Sequence, residues 1–271
     1  MLAKAFKVAR MDFHWDNIEK KRGVYDFTAW DGLLQIMEAH NVRPYWILDY
    51  GNPLYPYVEP PSAVNCSTRE LCNQTCAMSW PMGTCDDGAY YCCGAPGCQG
   101  NHKCASNPHV SGCYCDGKTG TSGGDAGCDT PECINAFGKF AQAAVDHFKG
   151  HDIIWECINE PNGMGHDTAI DLAALCKSAG KAFRAAGELF VGPTTAGMDW
   201  KYLNTSMAHG ILDAFGAVSV HPYRSTAPET ALDDWVRLRS LIQEYGTTTT
   251  QKQMPMLSGE VSPSGCWYSR R

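Results

Sequence analysis

The chain has 271 residues, 44% hydrophobic and 19% charged, which is enough for one large core in a single domain. Its 22 Lys and Arg against 29 Asp and Glu give a net charge of −7, and no basic patch points to a nucleic-acid partner. No apolar run is long enough to cross a bilayer, and Met1 to Ala5 leads into no apolar stretch of the signal-peptide kind.

Phe6 to Phe13 reads as a strand, with Arg10 and Asp12 near its end. Asp12, His14 and Asp16 alternate, a pattern that can hold a metal. No further ligands cluster nearby, so these residues read as polar groups around a binding site or loop, and no metal is expected. Gly23 to Phe27 is a turn entering a helix. In that helix Trp30, Leu33, Leu34 and Met37 fall on one face and read as core. Tyr45 to Asp49 is the next strand. A polar and aromatic loop through Asn52 and Tyr55 follows, suited to stacking on sugar rings or to covering a barrel mouth.

The composition then changes. Of 15 cysteines, 12 lie between Cys66 and Cys133, in a stretch rich in Gly, Ser and Asn with little apolar periodicity. Such density predicts a disulfide framework and an oxidising compartment. Zinc is the rival, but paired C-x-x-C spacing is missing, and His102 and His109 fall in no finger pattern. Sequons at Asn65, Asn73 and Asn204 agree with a secreted glycoprotein. The expected organisation is therefore residues 1–65 as one part of the main domain, 66–133 as an insertion, and 134–271 as the remainder. The insertion follows a strand and precedes a helix, so it is expected to wall the substrate cleft.

Phe137, Phe140, Ala141, Ala144 and Phe148 mark the helix that resumes the main domain. Ile153 to Asn159 is a buried strand, stopped at Asn159-Glu160-Pro161. Asp167 or Thr168 is the expected cap of the next helix, whose buried face is Leu172, Leu175, Cys176, Ala179 and Phe183. Leu189 to Pro193 is a strand, followed by a helical segment from Trp200 to Leu212. Ala217 to Val220 is a strand ending in His221-Pro222-Tyr223-Arg224. Leu232, Trp235, Leu238, Ile242 and Tyr245 make another helix, Thr247 to Thr250 reads as a turn or loop, and Met256 to Glu260 is the last strand.

Six strands alternating with helices are the pattern of a parallel sheet. A doubly wound sheet and an incomplete (β/α)8 barrel both fit. The chain lacks G-x-G-x-x-G after a strand, and its candidate catalytic residues spread over several strand ends, which favours the barrel. Two carboxylates at separate strand ends, Glu160 and Glu260, are what glycoside hydrolysis requires.

The segments Arg10 to Trp15, Gly23 to Phe27, Ile47 to Tyr55, Trp155 to Asn162, Ser219 to Arg224 and Ser258 to Glu260 together resemble the clan A retaining glycoside hydrolases. Within that clan the chain is most similar to the family 39 group. The resemblance implies a (β/α)8 TIM barrel, Glu160 as acid/base and Glu260 as nucleophile. It further implies Arg10 and Tyr223 as partners of the nucleophile, Asn159 on the sugar 2-hydroxyl, and His221 orienting a carboxylate or sugar hydroxyl. His14 and Asn52 are its further substrate-side candidates. It implies a carbohydrate substrate and no cofactor, metal, membrane or obligate protein partner. The family carries its two acids after strands 4 and 7, whereas here they close the third and sixth visible strands. Strands 2 to 7 are therefore expected, in a truncated chain whose missing start explains the missing signal peptide. Val261-Ser262-Pro263 also departs from the aromatic residue and Gly usual after the nucleophile. Alternatives are a family 5-like endo-β-glucanase, a non-catalytic carbohydrate-binding protein, and a disulfide-rich structural protein.

Overall fold

The structure is a computed structural model that describes residues 6–55, 128, 130–163, 169–224 and 226–261, together with four short strands between 82 and 115. Contacts divide the chain into two units, Met1–Tyr57 with Gly123–Arg271, and Val58–Ser122.

The first unit holds a six-stranded parallel sheet. Its strands are β1 (Val8–His14), β2 (Arg43–Asp49), β7 (Ile154–Cys157), β8 (Leu189–Ala196), β9 (Ala217–His221) and β10 (Met256–Ser258), and they neighbour one another in that order. Each strand therefore pairs with the preceding strand of this sheet, all in parallel. Tyr45, Trp46, Ile47, Leu48 and Asp49 of β2 are all buried, as befits a parallel strand covered on both faces. The outer strands β1 and β10 do not pair, so the six strands form an open part of a (β/α)8 barrel.

Helices cover the outside of the sheet. α1 (Trp15–Ile18) and α2 (Thr28–Ala39) follow β1, and α3 (Pro131–His147) precedes β7. α3 starts where Thr130 accepts the Cys133 N–H at 3.1 Å, with Pro131 in the first turn, where a missing N–H costs nothing. α4 (Ala169–Ala186) follows β7 and buries all five residues of its predicted stripe. The predicted cap of α4, Asp167 or Thr168, lies outside the described residues. Phe13, Trp46, Phe140, Phe148 and Trp155 form a contiguous aromatic core beneath the sheet, with ring centroids as close as 5.0 Å.

Three local readings change. The segment after β8 is α5 (Trp200–Ala208) and a separate turn of 3-10 helix at Ile211–Asp213, divided by Gly210 at φ +76°. Thr247 to Thr250 leads into a short helix instead of a plain loop. After α6 (Ala231–Tyr245), Thr248 and Gln251 form a reciprocal capping box that opens α7 (Thr249–Lys252). Leu232, counted with the apolar face of α6, is exposed, while Leu238 and Ile242 are buried.

Two disulfides are present among the described residues, Cys128–Cys133 and Cys157–Cys176. The second ties the end of β7 to α4 across a sequence separation of 19. A loop of that size corresponds to about 3 kcal/mol of stabilisation.

In the second unit, β3 (Met82–Thr84) pairs antiparallel with β4 (Tyr90–Cys92), and β5 (His102–Lys103) with β6 (Tyr114–Cys115). The expected cleft wall and the sequons at Asn65 and Asn73 fall outside the described residues. Asn204 is exposed on α5, where its Oδ1 accepts the Tyr245 hydroxyl at 2.9 Å. Among the described residues no helix is long and apolar enough to cross a membrane.

Candidate active site

The carboxyl ends of the six strands bring together side chains that are far apart in the chain. β7 stops at Cys157, and the next three residues make a tight turn. Ile158 and Glu160 adopt φ +42° and +45°, a region costly for a β-branched or long side chain. Neighbouring strands hold the turn in place. Asn159 N–H donates to Asp49 Oδ1 at 2.8 Å, Thr194 Oγ1 donates to the Ile158 carbonyl at 2.6 Å, and Glu160 N–H donates to the Thr194 carbonyl at 3.1 Å. Asn162 completes the anchor by accepting the Ala196 N–H at 2.8 Å and donating to the Ala196 carbonyl at 3.1 Å.

The Glu160 side chain projects from this turn to His221, at the end of β9, where its Oε1 lies 2.8 Å from Nδ1. His221 is buried, and Gly259 passes close beside it. A Cβ on Gly259 would lie 2.8 Å from Ser219 Oγ and 3.0 Å from His221 Nε2, so only glycine lets β10 approach this closely. The next residue, Glu260, receives Arg10 Nη1 at 3.0 Å and the Tyr223 hydroxyl at 2.5 Å. One oxygen from Glu160, one from Glu260 and a ring nitrogen of His221 all lie within 4.8 Å of one another.

That trio has the spacing of a metal site, but Glu260 already holds the cation of Arg10 and the hydroxyl of Tyr223. The donor set fits proton transfer and nucleophilic attack. Tyr223 is pushed above its ordinary range by burial, then by its bonds to Glu260 and Glu160, which keeps it a donor. Burial opposes the charge on Arg10, but the carboxylates of Glu156 and Glu260 outweigh it and hold the guanidinium protonated.

Arg10, Asn159, Glu160, His221, Tyr223 and Glu260 thus meet in one bonded cluster, with Asn159 Oδ1 accepting from Arg10 Nη2 at 2.7 Å. Two residues named from the sequence take other positions. His14 stands beside Asp12, at 3.7 Å, and against the Tyr50 ring, 6.0 Å between centroids. Asn52 is corrected to a structural role. It is buried, its amide donates to the Glu19 carbonyl at 3.0 Å, and its oxygen accepts the Leu54 N–H at 2.9 Å, so its side chain ties the loop to the end of α1.

Sequence reasoning missed Glu156, Tyr45, Ser219 and Asp49. Glu156 is fully buried in β7. Arg10 donates to it through Nε, at 2.9 Å, and through Nη2, and the Tyr45 hydroxyl donates to its other oxygen. Burial raises Glu156 above the ordinary carboxylate range, while Arg10 and Tyr45 pull it back. The available signal was a charged residue inside an otherwise apolar buried strand. Asp49 is likewise buried. Desolvation pushes it well above the usual range against the pull of the Asn159 N–H, and Asp12 and Glu156 add to the rise.

No protein-family model and no curated protein matches the chain. Solved structures do. A family 39 glycoside hydrolase from the gut symbiont Bacteroides cellulosilyticus WH2 superposes with a TM-score of 0.59 at 14% identity, covering 96% of this chain and 44% of that one. The fold is the α/β barrel type of these glycoside hydrolases. A monomeric β-xylosidase from Caulobacter crescentus CB15 gives 0.57 at 17% identity, with coverage of 96% and 46%. XacCel5A, solved in complex with cellopentaose, gives 0.50 at 17% identity, with coverage of 96% and 66%. The chain spans less than half the length of the family 39 structures it matches. Its six strands correspond to part of a TIM barrel that is not closed here.

Proposed function

We propose that the chain carries the site of a retaining O-glycoside hydrolase acting on β-linked oligosaccharides or polysaccharides. The observation that carries this reading is the meeting of Glu160 and Glu260, whose oxygens share a cluster no wider than 4.8 Å with His221. Retaining pairs stand about 5–5.5 Å apart and inverting pairs about 6.5–9.5 Å, because inversion needs room for a water. The short separation supports retention.

In this mechanism Glu260 attacks the anomeric carbon. A bond forms between that carbon and a Glu260 oxygen as the bond to the leaving oxygen breaks, and Glu160 passes its proton to that oxygen. Glu160 then removes a proton from water, which displaces Glu260 with a second inversion. Arg10 and Tyr223 hold and aim Glu260, and His221 holds Glu160 in place. Asn159 binds the 2-hydroxyl. A β-xylosidase and a cellopentaose complex among the similar folds accord with a β-linked substrate. The two disulfides support an oxidising, extracellular setting, and the sequon at Asn204 adds a candidate glycan site.

The test uses aryl β-glycosides, with the anomer of the first product followed by NMR. Glu260→Ala should lower turnover by about 10⁴-fold or more, with azide restoring product of inverted configuration. Undiminished turnover in that variant removes Glu260 from the chemistry.

A further inference from the structure

We infer that Glu156 is a positioning residue that aims Arg10 and divides its charge, so that the nucleophile Glu260 stays basic enough to attack. The inference rests on the retaining reading of the site and concerns a carboxylate that takes no direct part in that chemistry.

Glu156 lies fully buried in β7, with Arg10 entering from β1, Tyr45 from β2 and Ser219 from β9. Arg10 meets it through both Nε and Nη2, which fixes the plane of the guanidinium. Once that plane is fixed, Nη1 is left to reach Glu260 at 3.0 Å, and Nη2 also reaches Asn159 Oδ1 at 2.7 Å. Guanidinium and phenol both approach Glu156 as donors, the arrangement that suits an ionised carboxylate.

The charge matters as much as the aim. A guanidinium facing Glu260 alone would hold that carboxylate strongly anionic and make it a poor nucleophile. With Glu156 on its other edge, Arg10 serves two anions, and its hold on Glu260 is weaker. The titratable groups around this unit are Arg10 from β1, Tyr45 and Asp49 from β2, Glu160 after β7, and His221 and Tyr223 from the end of β9. His221 lies 3.9 Å from Glu260 and bonds to Glu160.

The isosteric variant Glu156→Gln keeps an oxygen for Arg10 and removes the negative charge. Glu260 should then titrate lower by about one pH unit, since a nearby charge moves a carboxylate by that order. The acid limb of kcat/KM should move down with it. Formation of the glycosyl-enzyme should slow by about tenfold, while its breakdown quickens, because a less basic carboxylate is the better leaving group. Tyr45→Phe withdraws one donor from Glu156, leaves more of its negative charge to Arg10, and should give a smaller shift in the opposite direction. It serves also if Glu156→Gln fails to fold.

The experiment is carboxyl 13C NMR titration of the whole chain, wild type against Glu156→Gln and Tyr45→Phe. Glu260→Gln assigns the resonance, and pH–rate profiles on aryl β-glycosides are recorded in parallel. A Glu260 midpoint lowered in Glu156→Gln, or raised in Tyr45→Phe, supports the inference whether or not the chain turns over. An unmoved Glu260 midpoint in folded variants overturns it, even if turnover falls. Absence of hydrolysis in the wild type counts against the hydrolase reading alone.

Discussion

The two candidate acids are held by different means. Glu160 sits on a turn whose backbone is pinned from both neighbouring strands by Asp49 and Thr194, and its side chain is 27% exposed. Glu260 follows a three-residue outer strand, is 47% exposed, and is held mainly through its side chain by Arg10 and Tyr223. An acid that must stay fixed while it gives and retakes a proton suits backbone restraint. A nucleophile that must move toward carbon suits side-chain donors, which can follow it.

Removing the cation should break the Glu260 half hardest. Arg10→Met strips the partner from buried Glu156 as well as from Glu260, and a buried charge left alone costs about 3–5 kcal/mol. Urea denaturation measures this, and a loss below about 1 kcal/mol would show that Arg10 is not what holds these carboxylates. Crowding the seam beneath Glu260 comes next. Gly259→Ala drives a methyl into Ser219 and His221 and should cost about 1–3 kcal/mol in thermal melts, with activity reduced more than stability. A variant with wild-type kcat/KM would mean that β10 can shift without moving Glu260.

The smallest effect tests the Glu160 half. Asp49 is raised well above its ordinary range by burial, so the folded state binds its proton more tightly than the unfolded chain does. Its contribution to stability is fullest below the unfolded carboxylate value and is lost as pH rises toward the folded one. Asp49→Asn keeps an acceptor for the Asn159 N–H and removes this dependence. Its stability relative to wild type should therefore rise by about 1 kcal/mol or more as pH increases from 4 to 7, read from melts at several pH values. A pH-independent difference would mean that Asp49 is not the titrating group.

All six strands were legible in the sequence because their apolar runs are short and end at polar or turn residues. Glu160 and Glu260 were legible for a related reason, since each sits just past such a run. Glu156 was not, because its one local sign, a charge inside an apolar strand, names no partner. Its partner Arg10 is 146 residues away, and only the strand order β1, β2, β7 in the parallel sheet brings them together. Cys157 and Cys176 passed as small apolar residues on a strand and a helix face, and their bond needs both elements in place. Asn52 misled in the opposite direction. The family resemblance suggested a substrate contact, while the Glu19 carbonyl and the Leu54 N–H take up its side chain.

One contact gains meaning from the topology. Arg10 belongs to the first strand and Glu260 follows the last, and these strands occupy opposite margins of the sheet, yet their side chains touch. The ion pair is a clasp across an unlaced seam. Whatever wedges between those two groups, a sugar ring included, also tends to prise the margins apart, so occupancy of the mouth and curvature of the sheet become one coordinate.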